Sequence, residues 1–181
     1  MAPADHTYRV RPASAADLPA SWRCSQKTRP GRPCLSPRRA GPSDRQKAAW
    51  ERLLATADLT VYLAETGAEA AGTASMLLMP HLTYDCRPTA FIEAVVVGYA
   101  HSRRGVATLL LQQALKDAHA ASCRKVQLLS HKRHSHDGAH DLYRAMGFTP
   151  RGRGLPPVPS PLTRPARHDH LASLVPAVRR H

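Results

Sequence analysis

Residues 91–115 read FIEAVVVGYAHSRRGVATLLLQQAL, and the reading of this stretch decides the fold. Its first seven residues form a β-branched run of the kind that makes a central strand with both faces covered. Glu93 interrupts the run; by period-two alternation it shares a face with Phe91, Val95 and Val97, so a carboxylate lies on an otherwise apolar surface. Beyond Gly105 the period changes. Ala107, Leu110, Leu111, Ala114, Leu115 and Ala118 follow the spacing of one helix face, which predicts a helix from Gly105 to about Ala121.

The junction HSRRG (101–105) places two arginines where a helix begins, although the positive end of the helix dipole favours acids or anions there. Gly105 lacks a Cβ, so backbone N–H groups can come close to a phosphate, and the guanidinium groups of Arg103 and Arg104 can pair with its oxygens. The alternative is a solvated basic turn capped by Ser102.

On the carboxyl side, KVQLLS (125–130) reads as another strand, and DGAHDLYRAMGF (137–148) as a short helix closed by Gly147 in the left-handed position. Strand, helix, strand, helix implies a parallel pair joined by a right-handed crossover, with ligands at the carboxyl ends of its strands. On the amino side, LTVYLAE (59–65) and AGTASMLLMP (71–80) flank ETGAEA as an antiparallel hairpin. A helix over about 44–55 directs Ala48, Leu53 and Leu54 inward, and TYRVRP (7–12) followed by ASAADLPA gives a strand and a serine-started helix.

The chain has 181 residues and a net charge of +13, which resembles a nucleic-acid signature until it is divided along the chain. Residues 20–43 contribute +6 and residues 151–181 contribute +5, whereas 44–150 contribute only +2. The two basic stretches also hold ten of the sixteen prolines and read as coil, with an arginine–proline bias that a frame-shifted GC-rich coding sequence would also produce. Few aromatics and no basic helix face argue against dedicated nucleic-acid recognition. Cys24, Cys34, Cys86 and Cys123 show no CxxC pair, so free thiols are expected. No apolar run approaches a membrane span, and MAPADHTYRV lacks the layout of a secretory leader, so a cytoplasmic protein is expected. The cluster His131, His134, His136 and His140 invites a metal reading, but no cysteine or carboxylate set completes a tetrahedron, and we expect a solvated loop and no metal.

With FIEAVVVGYAHSRRGVATLLLQQAL, KVQLLS and AHDLYRAMGF in this order, and YRVRPASAADLPA before them, the chain resembles the GCN5-related N-acetyltransferase (GNAT) family over residues 7–19 and about 44–150. The resemblance implies an α/β (α+β) fold: a mixed, mostly antiparallel sheet with a central splayed parallel strand pair and flanking helices. It implies a domain at 1–150, with 20–43 as an irregular basic insertion or altered helix region, and a Pro/Arg-rich tail at 151–181. The family's phosphate turn follows Gln/Arg-x-x-Gly-x-Gly/Ala; Gly105 and Ala107 match it, and Ser102 departs from it, with Arg103 or Arg104 able to supply the charge.

By position, the resemblance implies acetyl-CoA as co-substrate, its pantetheine arm on Val95, Val96 and Val97, and its phosphates on Ser102, Arg103, Arg104, Gly105, Val106, Ala107 and Thr108. It implies direct attack by a primary amine of a small molecule or peptide. Glu93 is the candidate base, or else a structural carboxylate; Tyr143 is the candidate acid for the departing thiolate, or else a core aromatic. His131 falls where many relatives carry asparagine. A homodimer is allowed. The family adds a strand pair after Phe148; here six prolines after Arg151 argue against central strands, so that pair is expected to be missing or altered, with LASLVPAV (171–178) as a brief helix or edge segment. The alternative function is a catalytically impaired relative that binds CoA or, through its basic arms, nucleic acid.

Overall fold

The computed structural model describes residues 7–21, 41–131, 138–153 and 171–176. These build one seven-stranded sheet in the order β1-β2-β3-β4-β5-β7-β6. Its strands are β1 (Arg9–Pro12), β2 (Leu59–Thr66), β3 (Glu69–Met79), β4 (Thr89–Val97), β5 (Lys125–His131), β6 (Phe148–Arg153) and β7 (Leu171–Pro176). A 3-10 turn at Ala15–Asp17 runs into a helical turn at 18–21 (α1), and the longer helices are α2 (Asp44–Ala55), α3 (Val106–Ala120) and α4 (Ala139–Ala145). All strand pairs are antiparallel except β4 with β5, which α3 connects as a crossover. This is the mixed, mostly antiparallel sheet that the family resemblance implies.

Local chemistry accounts for the boundaries. Thr66 faces Glu69 across a tight hairpin whose Gly67 has φ +57, a conformation that costs glycine no steric strain. Ser43 caps α2, and Gln46 returns the bond to the Ser43 N–H at 2.8 Å, completing a capping box. Ser14 and Asp17 form another before the 3-10 turn, where Arg11 grips the Asp17 carboxylate at 2.8 and 2.9 Å and also reaches Glu65. The Arg11 hydrogen bond holds the Asp17 carboxyl well below the usual carboxylate range, against the opposing effect of burial. One guanidinium thereby joins β1, the 3-10 turn and β2.

The core lies between α3 and the sheet. Val106, Leu110, Leu111, Ala114 and Ala118 of the helix meet Tyr62, Ala74, Met76, Ala90, Ile92, Val126 and Leu128, as the helical period predicts. Ala107 and Leu115 flank that stripe, half-buried. Tyr62 donates to Asp117 at 2.8 Å across this interface, and burial together with that bond pushes its phenol well above the ordinary value.

On the opposite face α2 packs against β2. Its buried residue is Trp50, with Leu54 half-buried; Ala48 and Leu53 are exposed, contrary to the reading of the period. The largest apolar side chain sets the phase of the helix: Trp50 turns inward and donates its indole N–H to Ser14 O at 3.3 Å, carrying Leu54 with it one turn later.

The carboxyl-terminal strand pair is formed, and residues 171–176 make an inner strand, not the brief helix or edge segment expected for 171–178. β7 lies inside the sheet between β5 and β6, with Leu128 opposite Leu174 and Phe148 opposite Pro176. The proline rule holds residue by residue: Pro150 lies in β6, the edge strand, and Pro176 is the last residue of β7. The basic prolines of 22–40 and 154–170 lie outside the described residues.

A Cβ on Gly72 would lie 2.9 Å from both Val106 Cγ1 and the Val96 carbonyl oxygen, so only glycine lets the start of α3 sit this close to the sheet. Gly72→Ala is therefore expected to lower unfolding stability by about 1–3 kcal/mol, read from urea titration of the purified chain; an unchanged midpoint would contradict the close packing.

Candidate active site

The β4–β5 pair is parallel only from Thr89 opposite Lys125 to Ile92 opposite Leu128. Beyond that point β4 runs on to Val97 beside β3, and β5 runs on to His131 beside β7, so the two strands part and a cleft opens between them. The cause is a β-bulge. Ala94 has φ +51, and the β3–β4 register slips between Thr73 opposite Val96 and Ser75 opposite Glu93.

The bulge also corrects the face assignment. Glu93 shares a face with Phe91, as alternation predicts, but the extra residue reverses the parity, and Val95 and Val97 pack on the core with Ile92. Glu93 is exposed on the opposite face, cross-strand from Ser75, at the point where the cleft opens. The main chain of 95–97 has β3 on one side only. Its other edge pairs with no strand among the described residues.

The basic turn stands above this cleft. Gly98 N–H donates to Ala71 O at 2.8 Å and fixes the end of β4; a 3-10 turn at Tyr99–His101 follows, then the exposed residues 102–105. Gly105, not Ser102, is the N-cap of α3: it has φ +82, no side chain caps the helix, and open space surrounds the place a Cβ would occupy. Ser102 Oγ instead donates to Gly98 O at 3.4 Å. Among the described residues no side chain accepts from the first N–H groups of α3, at Val106, Ala107 and Thr108, and the helix ladder begins with Leu109 N–H on Gly105 O at 3.0 Å.

Arg103 and Arg104 are both exposed, and no carboxylate pairs with either among the described residues. Arg103 holds φ +64, and its Nη1 would lie 2.6 Å from a Cβ on Gly138, the N-cap of α4. Its side chain thus spans from the turn to the helix that carries Tyr143. Cations, bare helix N–H groups and a left-handed glycine converge here, an arrangement suited to a phosphate.

Tyr143 is 7% exposed, with its ring edge-on to Phe148 at 6.4 Å. The residue is part of the core cluster. His140 is 6.4 Å away, and its Nε2 hydrogen-bonds the buried Ser130 Oγ at 3.2 Å, tying the end of β5 to α4. His131 ends β5 with its side chain outside the described residues, as are His134 and His136. No group of three metal-ligating residues occurs among the described residues, and no helix there is long and apolar enough to cross a membrane.

Two features of the site escaped the sequence reading. Gly72 carries a visible signal, a lone glycine inside a strand pattern, which marks close backbone approach. The bulge at Ala94 carries none, because alanine is ordinary in either parity.

The model of the acetyltransferase (GNAT) family matches residues 24–148. The chain belongs to this family. A putative acetyltransferase from Agrobacterium tumefaciens str. C58 is 31% identical, over 81% of this chain and 96% of that one, with a TM-score of 0.68. The same fold recurs in yncA, a putative acetyltransferase from Salmonella typhimurium solved with acetyl-CoA, at 19% identity, 97% and 96% coverage and TM-score 0.65. It recurs also in a transcriptional regulator from Bacillus halodurans C-125, at 22% identity, 82% and 97% coverage and TM-score 0.69. No curated protein matches the chain.

Within this GNAT fold, Arg103 holds a left-handed conformation that costs a non-glycine residue about 1–2 kcal/mol. Arg103→Gly is expected to raise the thermal unfolding midpoint by a few degrees while removing a cation from the turn. A lower midpoint would mean that the span to Gly138 outweighs the strain.

Proposed function

We propose that the protein is an N-acetyltransferase that transfers the acetyl group of acetyl-CoA to a primary amine of a small molecule or peptide by direct attack. The observation that carries this reading is the parallel pair that parts beyond Ile92 and Leu128 beneath an exposed turn whose two arginines pair with no carboxylate among the described residues. The residues fit the co-substrate: the turn offers N–H groups and guanidinium groups to a pyrophosphate, and the edge of Val95, Val96 and Val97 that pairs with no described strand offers main-chain partners to an extended arm. When bound, acetyl-CoA supplies an activated thioester.

The chain's own groups do the rest. Ser102, Arg103, Arg104, Gly105, Val106, Ala107 and Thr108 hold the phosphates, with the arginines supplying charge that Ser102 lacks. Glu93 takes a proton from the attacking amine, directly or through water, so that its lone pair is free to form the C–N bond. A backbone N–H in the splayed region stabilises the oxyanion as it forms. The C–S bond then breaks, and Tyr143 gives its phenolic proton to the thiolate. The acceptor lies on the Glu93 side of the cleft, and 1–150 acts as the acetyltransferase unit with β6 and β7 completing its sheet.

Calorimetry with acetyl-CoA tests the cofactor site. The parent chain is expected to bind, and Gly105→Asp, which sets a carboxylate against the phosphates, to weaken binding at least about tenfold. A folded parent that does not bind would overturn the enzyme reading in favour of a family core without its chemistry. Once an accepted amine is found, Glu93→Gln is expected to lower kcat about 100-fold with the KM for acetyl-CoA unchanged; full activity in that variant would remove Glu93 from the mechanism.

A further inference from the structure

His101 is 4% exposed and stands immediately before the phosphate turn. The four exposed residues 102–105 include two left-handed ones, Arg103 and Gly105, and hang between two buried ends. At the far end Val106, 1% exposed, is seated against Gly72. At the near end the buried side chain is His101, and its contacts come from distant parts of the chain. Nδ1 is 3.2 Å from the Tyr8 hydroxyl, with the two rings edge to face at 5.8 Å, and Nε2 faces Glu69 of β3.

The second contact is incomplete: Nε2 is buried with no hydrogen-bond partner among the described residues, and Glu69 Oε1 lies at 3.6 Å. A buried imidazole nitrogen left in that state costs about 1–3 kcal/mol, so a residue serving only to fill space would be better as phenylalanine. Where the Tyr8 hydroxyl donates to Nδ1, the neutral ring carries its proton on Nε2, aimed at the Glu69 carboxylate. A movement of roughly 0.6 Å brings that pair to hydrogen-bond length.

We propose that His101, braced between Tyr8 and Glu69, is a positioning residue that sets where the turn 102–105 meets the phosphates of its ligand, its Glu69 contact closing as the turn settles on them. The inference rests on the acetyl-CoA reading and adds to it the residue that places the turn. It acts through the turn and touches no reacting atom.

The test compares CoA, which carries the phosphates, with pantetheine, which lacks them, by ligand-observed NMR titration of the parent, His101→Phe, His101→Asn and Glu69→Gln. His101→Phe keeps the bulk and is expected to weaken CoA about tenfold while leaving pantetheine within about twofold. His101→Asn returns a polar group to the place of Nδ1 and is expected to recover part of the loss. Glu69→Gln, which keeps a neutral acceptor, falls between parent and His101→Phe.

Equal weakening of both ligands would mark His101 as merely structural, and unchanged CoA affinity would remove it from the turn's function; either overturns the proposal. Should His101→Phe fail to fold, the other two variants carry the same comparison. A parent that binds neither ligand overturns the acetyl-CoA reading itself. A parent that binds CoA alongside an unaffected His101→Phe overturns only the role of His101.

Discussion

One extra residue in β4 governs the rest of the structure. The bulge at Ala94 ends the pairing of β4 with β5 after Ile92, reverses which side chains face the core, and leaves an edge of main chain at 95–97 with no strand beside it among the described residues. In an unbroken strand, the parallel pair would continue and fill the cleft with its own hydrogen bonds, and Glu93 would share its face with Val95 and Val97. Displacing the parity keeps both valines in the core and the carboxylate outside it. The structure thereby avoids burying an unpaired charge, whose desolvation would be far more costly than a bulge.

The turn above the cleft is built on a similar opposition. Arginines at the start of α3 are unfavourable to the helix, and a left-handed Arg103 adds backbone strain. The helix tolerates both because its position does not depend on its cap: Val106, Leu110, Leu111, Ala114 and Ala118 are buried, and Gly72 lets the first turn rest on the sheet. Tertiary packing thus holds a helix end that is left electrostatically open, and such an end binds an anion more strongly than a capped one does. The Arg103 side chain extends the same positive region to Gly138 at the start of α4, so the turn and the helix bearing Tyr143 lie side by side.

Much of this was legible in the chain. The period of residues 106–120, the β-branched run before it, the hairpin at Gly67 and the serine caps are each written within a few consecutive residues, because helix and strand periodicities and turn conformations are local properties. Composition misled where it was averaged: ten prolines in two basic stretches suggested coil throughout, yet residues 171–176, which end on one of those prolines, Pro176, form an inner strand of the sheet. Trp50 misled in the other direction. Its neighbours offered a plausible apolar stripe, and only contact with β2 and the Ser14 carbonyl fixed the phase of α2.

The sequence by itself determined the family, the order of the elements, the parallel crossover and a basic turn with a glycine at the start of α3, since glycine, charge and hydrophobic period act over one or two turns of chain. Tertiary structure alone decided the site of the bulge, the side of the sheet on which Glu93 emerges, and the bracing of His101 by Tyr8 and Glu69. The physical reason is range. Residues 8, 69 and 101 meet only after β1 and β3 have paired into the sheet, and a one-residue slip in β4 is defined only against the register of its neighbour.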